Sequence, residues 1–356
     1  MRTLIAARTL RKLGLIALIR AGAPAQTATR VMDELLENER TGYPSHGVLR
    51  LPDYIADIQS GTLAPAATPL TTLAAPNIAI IDGHRAFGAL VRRELTLTLQ
   101  KLATEHGVAI VCLRNAHHLG RLAAVGRNLA NYCKHPLAVI GFCNFQGHGP
   151  RVAPPGGSLA RLCTNPLLLA FPTACADPFV LDMSTSTVSE GFVRRHAQGG
   201  EILPPGCLVD AACNDVRDPS RLYVSPAQAT LQPLGGNLAG HKGYGMAVAA
   251  ELFAGALAGA SHVARPGNPG NGGLFLAIDP ARMPAGLDAI KAEATAIAGY
   301  CRASGHPKAP ARMPGEGYAA RCTAAKTITM LALPTAVLAE IRRFAGAAQE
   351  EDQHAK

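Results

Sequence analysis

Five short stretches of this 356-residue chain gather side chains that can move a proton or hold an anion. The first is Ser45-His46-Gly47-Val48-Leu49-Arg50. His46 stands four residues before Arg50, which on a helix would put both on one face. An imidazole exchanges a proton near neutral pH, and a guanidinium grips a carboxylate through two parallel N–H groups. Ser45 could orient the imidazole. The same residues also fit a turn with a capping serine and a surface arginine. The second stretch, Asn115-Ala116-His117-His118-Leu119-Gly120, follows an apolar run and precedes a helical pattern. The crevice beyond a strand's carboxyl end is where α/β proteins place their sites. Paired histidines invite a metal, but neighbouring side chains diverge and no carboxylate lies close in sequence. The better reading is one catalytic imidazole with a packing neighbour and no metal.

The third stretch ends an apolar run in Asp182-Met183-Ser184-Thr185-Ser186. Its N–H groups and hydroxyls suit a ribose or phosphate, and equally a helix cap. In the fourth, Gly240-His241-Lys242-Gly243-Tyr244, Lys242 near a helix start could meet a diphosphate. The fifth, Pro314-Gly315-Glu316-Gly317, is a turn that could close over a bound cofactor. Taken alone, the last two also read as solvated turns.

Elements must position these groups. Residues 1–60 read as helical, with a break at Gly22-Ala23-Pro24 and a turn at Tyr43-Pro44-Ser45-His46-Gly47. Ala28, Val31, Met32, Leu35 and Leu36 have helical spacing. Residues 61–83 read as a Pro- and Ala-rich connector ending in a strand at 78–81. Helix at 94–106, strand at 108–113, helix at 118–130 and strand at 137–142 then alternate, which implies α/β architecture. Short apolar runs at 167–171 and 179–183 follow. A helix at 242–258, a strand at 274–278 and helices at 287–304 and 335–344 complete the pattern.

Composition narrows the function classes. The net charge is +9, with 48% hydrophobic residues. The basic residues are scattered, no run exceeds two, Trp is absent and aromatics reach only 4%, so platforms for stacking nucleic-acid bases are scarce. The excess charge suits a small anionic substrate instead. The nine cysteines form no CxxC and no zinc-finger spacing, as expected of reduced thiols in the cytoplasm. The basic stretch 1–32 has too short an apolar segment to span a bilayer, and no membrane partner is expected. No G-x-G-x-x-G fingerprint, Walker A, HExxH or G-x-S-x-G is present.

Together the motifs resemble the type 2 malate/L-lactate dehydrogenase family, also called the malate/sulfolactate/ureidoglycolate dehydrogenase group, over roughly residues 5–345. The carrying residues include Ser45-His46-Gly47-Val48, Asp82-Gly83 with Phe87-Gly88, His117-His118 with Gly120, Thr164-Asn165-Pro166, Asp182-Met183-Ser184, Pro204-Pro205-Gly206, His241-Lys242-Gly243-Tyr244 and Pro314-Gly315-Glu316. His117-His118-Leu119-Gly120-Arg121 and Pro204-Pro205-Gly206-Cys207-Leu208-Val209-Asp210 look most like the hydroxycarboxylate dehydrogenase B branch. The resemblance implies an α/β fold: a non-Rossmann NAD(P)-binding domain with a mixed sheet (76–284), and a helical domain formed by both chain ends (1–75 and 285–356). It implies a homodimer using NAD or NADP. His46 and His118 become the candidate acid/base residues, supported by Ser45. Arg50 would hold the substrate carboxylate and Thr164 would lie near the substrate. His118, Asp182, Met183, Ser184, His241, Lys242, Asn271, Pro314, Gly315 and Glu316 would line the cofactor.

The chain departs from the family pattern at Pro44, Ala116, Phe192 and Asn214-Asp215. Cyclic-imine reductases can carry an Asp at the position of Phe192 to assist the histidine, so Phe192 favours a 2-keto acid over a cyclic imino acid as substrate. A non-catalytic binding protein would be expected to lose some of His46, Arg50, His118 and Lys242, and all four are present. A hydrolase using Ser45 and His46 would need an oxyanion motif, which is missing.

Overall fold

The computed structural model describes residues 2–145, 149–157, 159–265, 269–306 and 309–347. Along the chain the strands are β1 (Arg2–Ala6), β2 (Leu70–Ala75), β3 (Ile78–Asp82), β4 (Val108–Ala116), β5 (Ala138–Phe145), β6 (Leu167–Phe171), β7 (Phe179–Met183), β8 (Leu208–Val209), β9 (Asp215–Val216), β10 (Thr230–Leu231), β11 (Asn271–Ile278) and β12 (Met330–Pro334). The α-helices are α1 (Ala7–Arg20), α2 (Ala25–Arg40), α3 (Leu51–Gln59), α4 (Gly88–His106), α5 (Ala123–Arg127), α6 (Glu190–Gly199), α7 (Gly236–Ala250), α8 (Leu287–Ala303), α9 (Tyr318–Ala325) and α10 (Thr335–Ala345).

A seven-stranded sheet runs in the order β2-β3-β4-β11-β5-β6-β7. Only β3 and β4 pair in parallel; the other pairings are antiparallel. Alternate residues of each strand point to one face. Ala109, Val111 and Leu113 of β4, with Val139 of β5, Leu168 of β6 and Phe275 of β11, bury that face against Val91, Leu95 and Leu99 of α4 and against Val125 of α5. On the opposite face Ile140, Leu169 and Phe171 remain more than one-third exposed, with Ile140 directly across from Leu169 and Leu276.

A second core joins the two ends of the chain. Leu10 and Leu18 of α1, Val31, Met32 and Leu35 of α2, and Val337, Leu338 and Ile341 of α10 pack together. The helical spacing read from α2 is the face it buries. Truncating Leu10, which is fully buried, to alanine would cost about 2–5 kcal/mol. A third cluster forms around β8, β9 and β10.

Several expectations are corrected. Residues 1–60 are not wholly helical, because β1 pairs antiparallel with β12. The connector expected over 61–83 also contains a second strand, β2, which joins the large sheet through β3. Residues 348–356 of the expected helical domain lie outside the described residues. The helix expected over 118–130 is confined to α5 and a π-helical turn, Asn128–Tyr132. Gly120 takes φ +69°, and the Leu119 N–H goes to the Asn271 side chain rather than into a helix. His46 and Arg50 do not share a helix; two 3-10 turns, Pro44–His46 and Val48–Arg50, are separated at Gly47 (ψ −149°).

Candidate active site

A cavity of about 720 Å³ opens between the terminal helices and the carboxyl end of β4. His46 and His118 both border it. The C-terminal end of α2 fixes the first: Asn38 Nδ2 donates to the His46 carbonyl (3.0 Å), and the Val48 N–H donates to Glu39 Oε2 (3.1 Å). Glycines fix the second. A Cβ on Gly88 would fall onto the His118 carbonyl oxygen and 2.7 Å from Leu119 Cα. One on Gly83 would come within 2.8 Å of Ala116 Cα. The Asp82-Gly83 and Phe87-Gly88 motifs are therefore the bed on which the histidine segment lies.

The two rings stack, with centroids 5.7 Å apart and planes within 6°. His118 Nδ1 shares a 3.2 Å hydrogen bond with the Tyr54 hydroxyl. His46 Nδ1 is buried without a partner among the described residues, and no hydrogen bond there joins the Ser45 side chain to it. Burial, reinforced by the charges of Arg50, Arg121 and Arg92, lowers His46 to about 3. Burial and then Arg50 hold His118 well below its ordinary value. Both imidazoles are neutral at pH 7, and burial beside Arg50 disfavours their protonated forms in the unliganded protein. His117 is engaged elsewhere: its Nε2 donates to Asp57 at 2.9 Å.

Arg50 is held from three sides. Its Nε donates to the Ser45 carbonyl (2.8 Å), Nη1 to Asp53 of α3 (3.4 Å) and Nη2 to Glu190 of α6 (3.3 Å). Arg194 completes a quartet, donating to Asp53 (2.6 Å) and Glu190 (2.9 Å). Ser189 caps α6 by accepting the Phe192 N–H, which sets Glu190 in the first turn, where the helix dipole favours a carboxylate. Burial alone would raise Glu190, but Arg50 and Arg194 outweigh it and hold it at about 2. The terminal bonds of Arg50 are long, and N–H groups remain for a ligand carboxylate.

Other expected residues divide. Thr164, Asp182, Ser184, Asn271, Pro314 and Gly315 border the same cavity. Asp182 accepts the Ala123 N–H at the start of α5 (2.7 Å), and burial raises its pKa. Asn271 accepts from Leu119 N and donates to the Asn144 carbonyl, so it braces the histidine segment. Met183 pairs with Leu167 and is not among the cavity walls. Glu316 turns away to the Met313 N–H and Arg302. His241 borders a separate hollow, and Lys242 is exposed on α7. Among the described residues no group of three metal-ligating side chains forms.

Sequence reasoning missed Tyr54, Asp53, Glu190 and Arg194. Their partners lie up to 141 positions away, so no local spacing announces them. The one usable signal was Ser189-Glu190, a capping residue followed by an acid. Phe192 turns out of the cavity, tilting against His196 at 4.3 Å beside the third cluster.

A sequence profile described as malate/L-lactate dehydrogenase matches residues 5–342. The chain is 34% identical to an L-lactate dehydrogenase of Cupriavidus necator over 317 residues, 86% of this chain and 88% of that one. It is 33% identical to hydroxycarboxylate dehydrogenase B of Escherichia coli K12, covering 67% and 63% of the two chains. It is 30% identical to a Delta(1)-pyrroline-2-carboxylate reductase of Ancylobacter novellus, covering 91% and 92%. Among solved structures, a putative malate/lactate dehydrogenase from E. coli superposes with a TM-score of 0.85 at 28% identity, over 97% and 95% of the chains. The chain belongs to the malate/L-lactate dehydrogenase family.

Proposed function

We propose that this protein is an oxidoreductase that moves a hydride between a nicotinamide dinucleotide, NAD or NADP, and a small 2-hydroxy or 2-keto acid of the malate, lactate or sulfolactate type. One observation carries the reading: two buried neutral imidazoles and a carboxylate-binding guanidinium converge on one cavity. Its volume of about 720 Å³ falls within the roughly 300–1,000 Å³ of small-molecule sites. The partnerless His46 Nδ1 is the kind of buried polar atom a bound ligand satisfies. When bound, the dinucleotide supplies the hydride. Asp182, Ser184, Asn271, Pro314 and Gly315 would form its bay, and His118 would face it. Met183, Glu316, His241 and Lys242 would support it from outside the cavity wall.

Arg50 seats the substrate carboxylate and fixes the carbonyl relative to the imidazoles. A neutral imidazole, His46 or His118, takes the hydroxyl proton during oxidation and returns it to the carbonyl oxygen in reduction. A carboxylate on Arg50 also offsets the charge that most depresses both imidazoles after burial, so substrate binding helps the acceptor keep its proton. Thr164 stands beside the reacting group, and Ser45 supports through its backbone oxygen.

We place the reaction in a cytoplasmic homodimer with the cofactor domain and two-ended helical domain outlined above, on a sheet unlike the parallel Rossmann sheet. The apolar outer sheet face supports a second copy. Among the described residues no helix is long and apolar enough to cross a membrane. Cyclic-imine reduction is the second reading, favoured by the pyrroline-carboxylate reductase relative and disfavoured by the outward Phe192. Turnover of 2-keto acids and cyclic imines with NADH and NADPH, beside His46→Ala and His118→Ala, tests the proposal. Keto-acid turnover lost in one variant upholds it; no turnover with either cofactor overturns it.

A further inference from the structure

The cavity walls include three arginines, Arg121, Arg127 and Arg321, set apart from the Arg50 quartet. Arg121 and Arg127 are only 7% and 4% exposed. Their guanidiniums lie over aromatic rings, Arg121 Cζ 3.4 Å from the Tyr43 centroid and Arg127 Cζ 3.8 Å from that of Tyr318. Their hydrogen bonds go to neutral groups. Arg121 Nη1 donates to Asn38 Oδ1 (2.9 Å), Arg127 Nη1 to the Gly315 carbonyl (3.2 Å) and Arg321 Nη2 to the Tyr43 hydroxyl (2.8 Å). The nearby carboxylates make their hydrogen bonds elsewhere, Asp182 with Ala123 N–H, Asp177 with those of Gly317 and Ala319, and Glu37 with the Tyr318 hydroxyl, and Asp177 and Asp182 act on the arginines only at longer range. The Nε groups of Arg127 and Arg321 are buried without a partner. Burial, with the charge of Arg121 adding to it, pushes the Arg127 pKa down. Three cations so arranged, with no carboxylate in ion-pair range among the described residues, are costly until an anion joins them.

We propose that Arg121, Arg127 and Arg321 form the seat for a phosphate group of the dinucleotide cofactor. Forked guanidinium donors match phosphate oxygens, and the excess positive charge suits a group that carries more than one negative charge better than a lone carboxylate. Position agrees. Arg121 lies three residues past His118, and Tyr43 three before His46, so the seat shares a wall with the imidazoles. The Pro314-Gly315 turn meets it through the Gly315 carbonyl, and a Cβ on Gly315 (φ +89°) would come 2.9 Å from Val180 N. The proposal rests on the dehydrogenase reading for the identity of the ligand, though not for the presence of an anion site.

Calorimetry on the full chain with inorganic pyrophosphate, NADH and NADPH, for wild type, Arg127→Met and Arg321→Lys, tests it. Wild type should bind pyrophosphate in competition with NADH, and Arg127→Met should weaken both by about ten-fold or more. Its unliganded melting temperature should change little, because removing a buried charge with no ion-pair partner offsets the lost stacking on Tyr318 and the lost bond to Gly315. Equal losses for NADH and NADPH assign the diphosphate; a loss confined to NADPH assigns the 2′-phosphate. Should Arg127→Met fail to fold, Arg321→Lys, which keeps the charge but loses the fork, should still weaken binding. Unchanged binding in a folded variant, or no pyrophosphate binding by wild type, overturns the seat. Pyrophosphate binding without oxidation of either cofactor would instead leave the seat standing and sink the dehydrogenase reading.

Discussion

At the residue scale, the unusual property is two neutral imidazoles stacked beside an arginine. With His46 lowered to about 3 and His118 also depressed, both stay in their base form as pH falls through 6.5. Oxidation of the 2-hydroxy acid should therefore show no acid limb near 6.5 in kcat/KM. Histidine ring NMR signals of the unliganded protein should hold their neutral positions for these two down to pH 5. A limb or shift at 6.5 would show that the pair is less buried than described. Arg50→Lys should lower kcat/KM for a keto acid by about 100-fold, mostly through KM, because the fork is lost while the charge remains. Steady-state kinetics read this directly, and an unchanged KM would remove Arg50 from the carboxylate site.

At the element scale, the histidine segment depends on the start of α4. Gly88→Ala would push the His118 carbonyl away and should cost about 1–3 kcal/mol, read as a lower melting temperature, together with most of the activity. This is also the scale at which the sequence was most and least informative. β6, β7, α8 and α10 were legible because each is a short apolar run or an amphipathic period bounded by turns. β1 and β12 were not, since a five-residue strand gains its meaning only from a partner more than 320 positions away. Helix periodicity over 118–130 was misleading, because Gly120 and Asn271 draw the chain out exactly where the apolar spacing suggests a turn of helix. In the site, His46, Arg50 and His118 were legible as residue types, whereas the Glu190 and Asp53 quartet exists only after α3 and α6 meet.

At the scale of the whole molecule, the large sheet has one fully packed face and one covered only in part, by the segment that carries Phe253. Ile140, Leu169 and Phe171, with Phe253 stacked on Phe142 at 4.8 Å, make that second face apolar. If a second copy covers it, Leu169→Glu should convert a dimer to a monomer in light scattering while leaving the melting transition cooperative. A variant still dimeric would move the contact elsewhere on the surface. The β1–β12 pair has a different consequence, one of timing. The strand that completes the terminal core is made after nearly all the rest of the chain, and α10, which packs on α1, comes later still. During synthesis the large sheet can form while α2, and the histidine turn fastened to its end, still lack that cover. His46 is encoded early but secured late, so a nascent chain would carry most of its architecture before that imidazole was held in place.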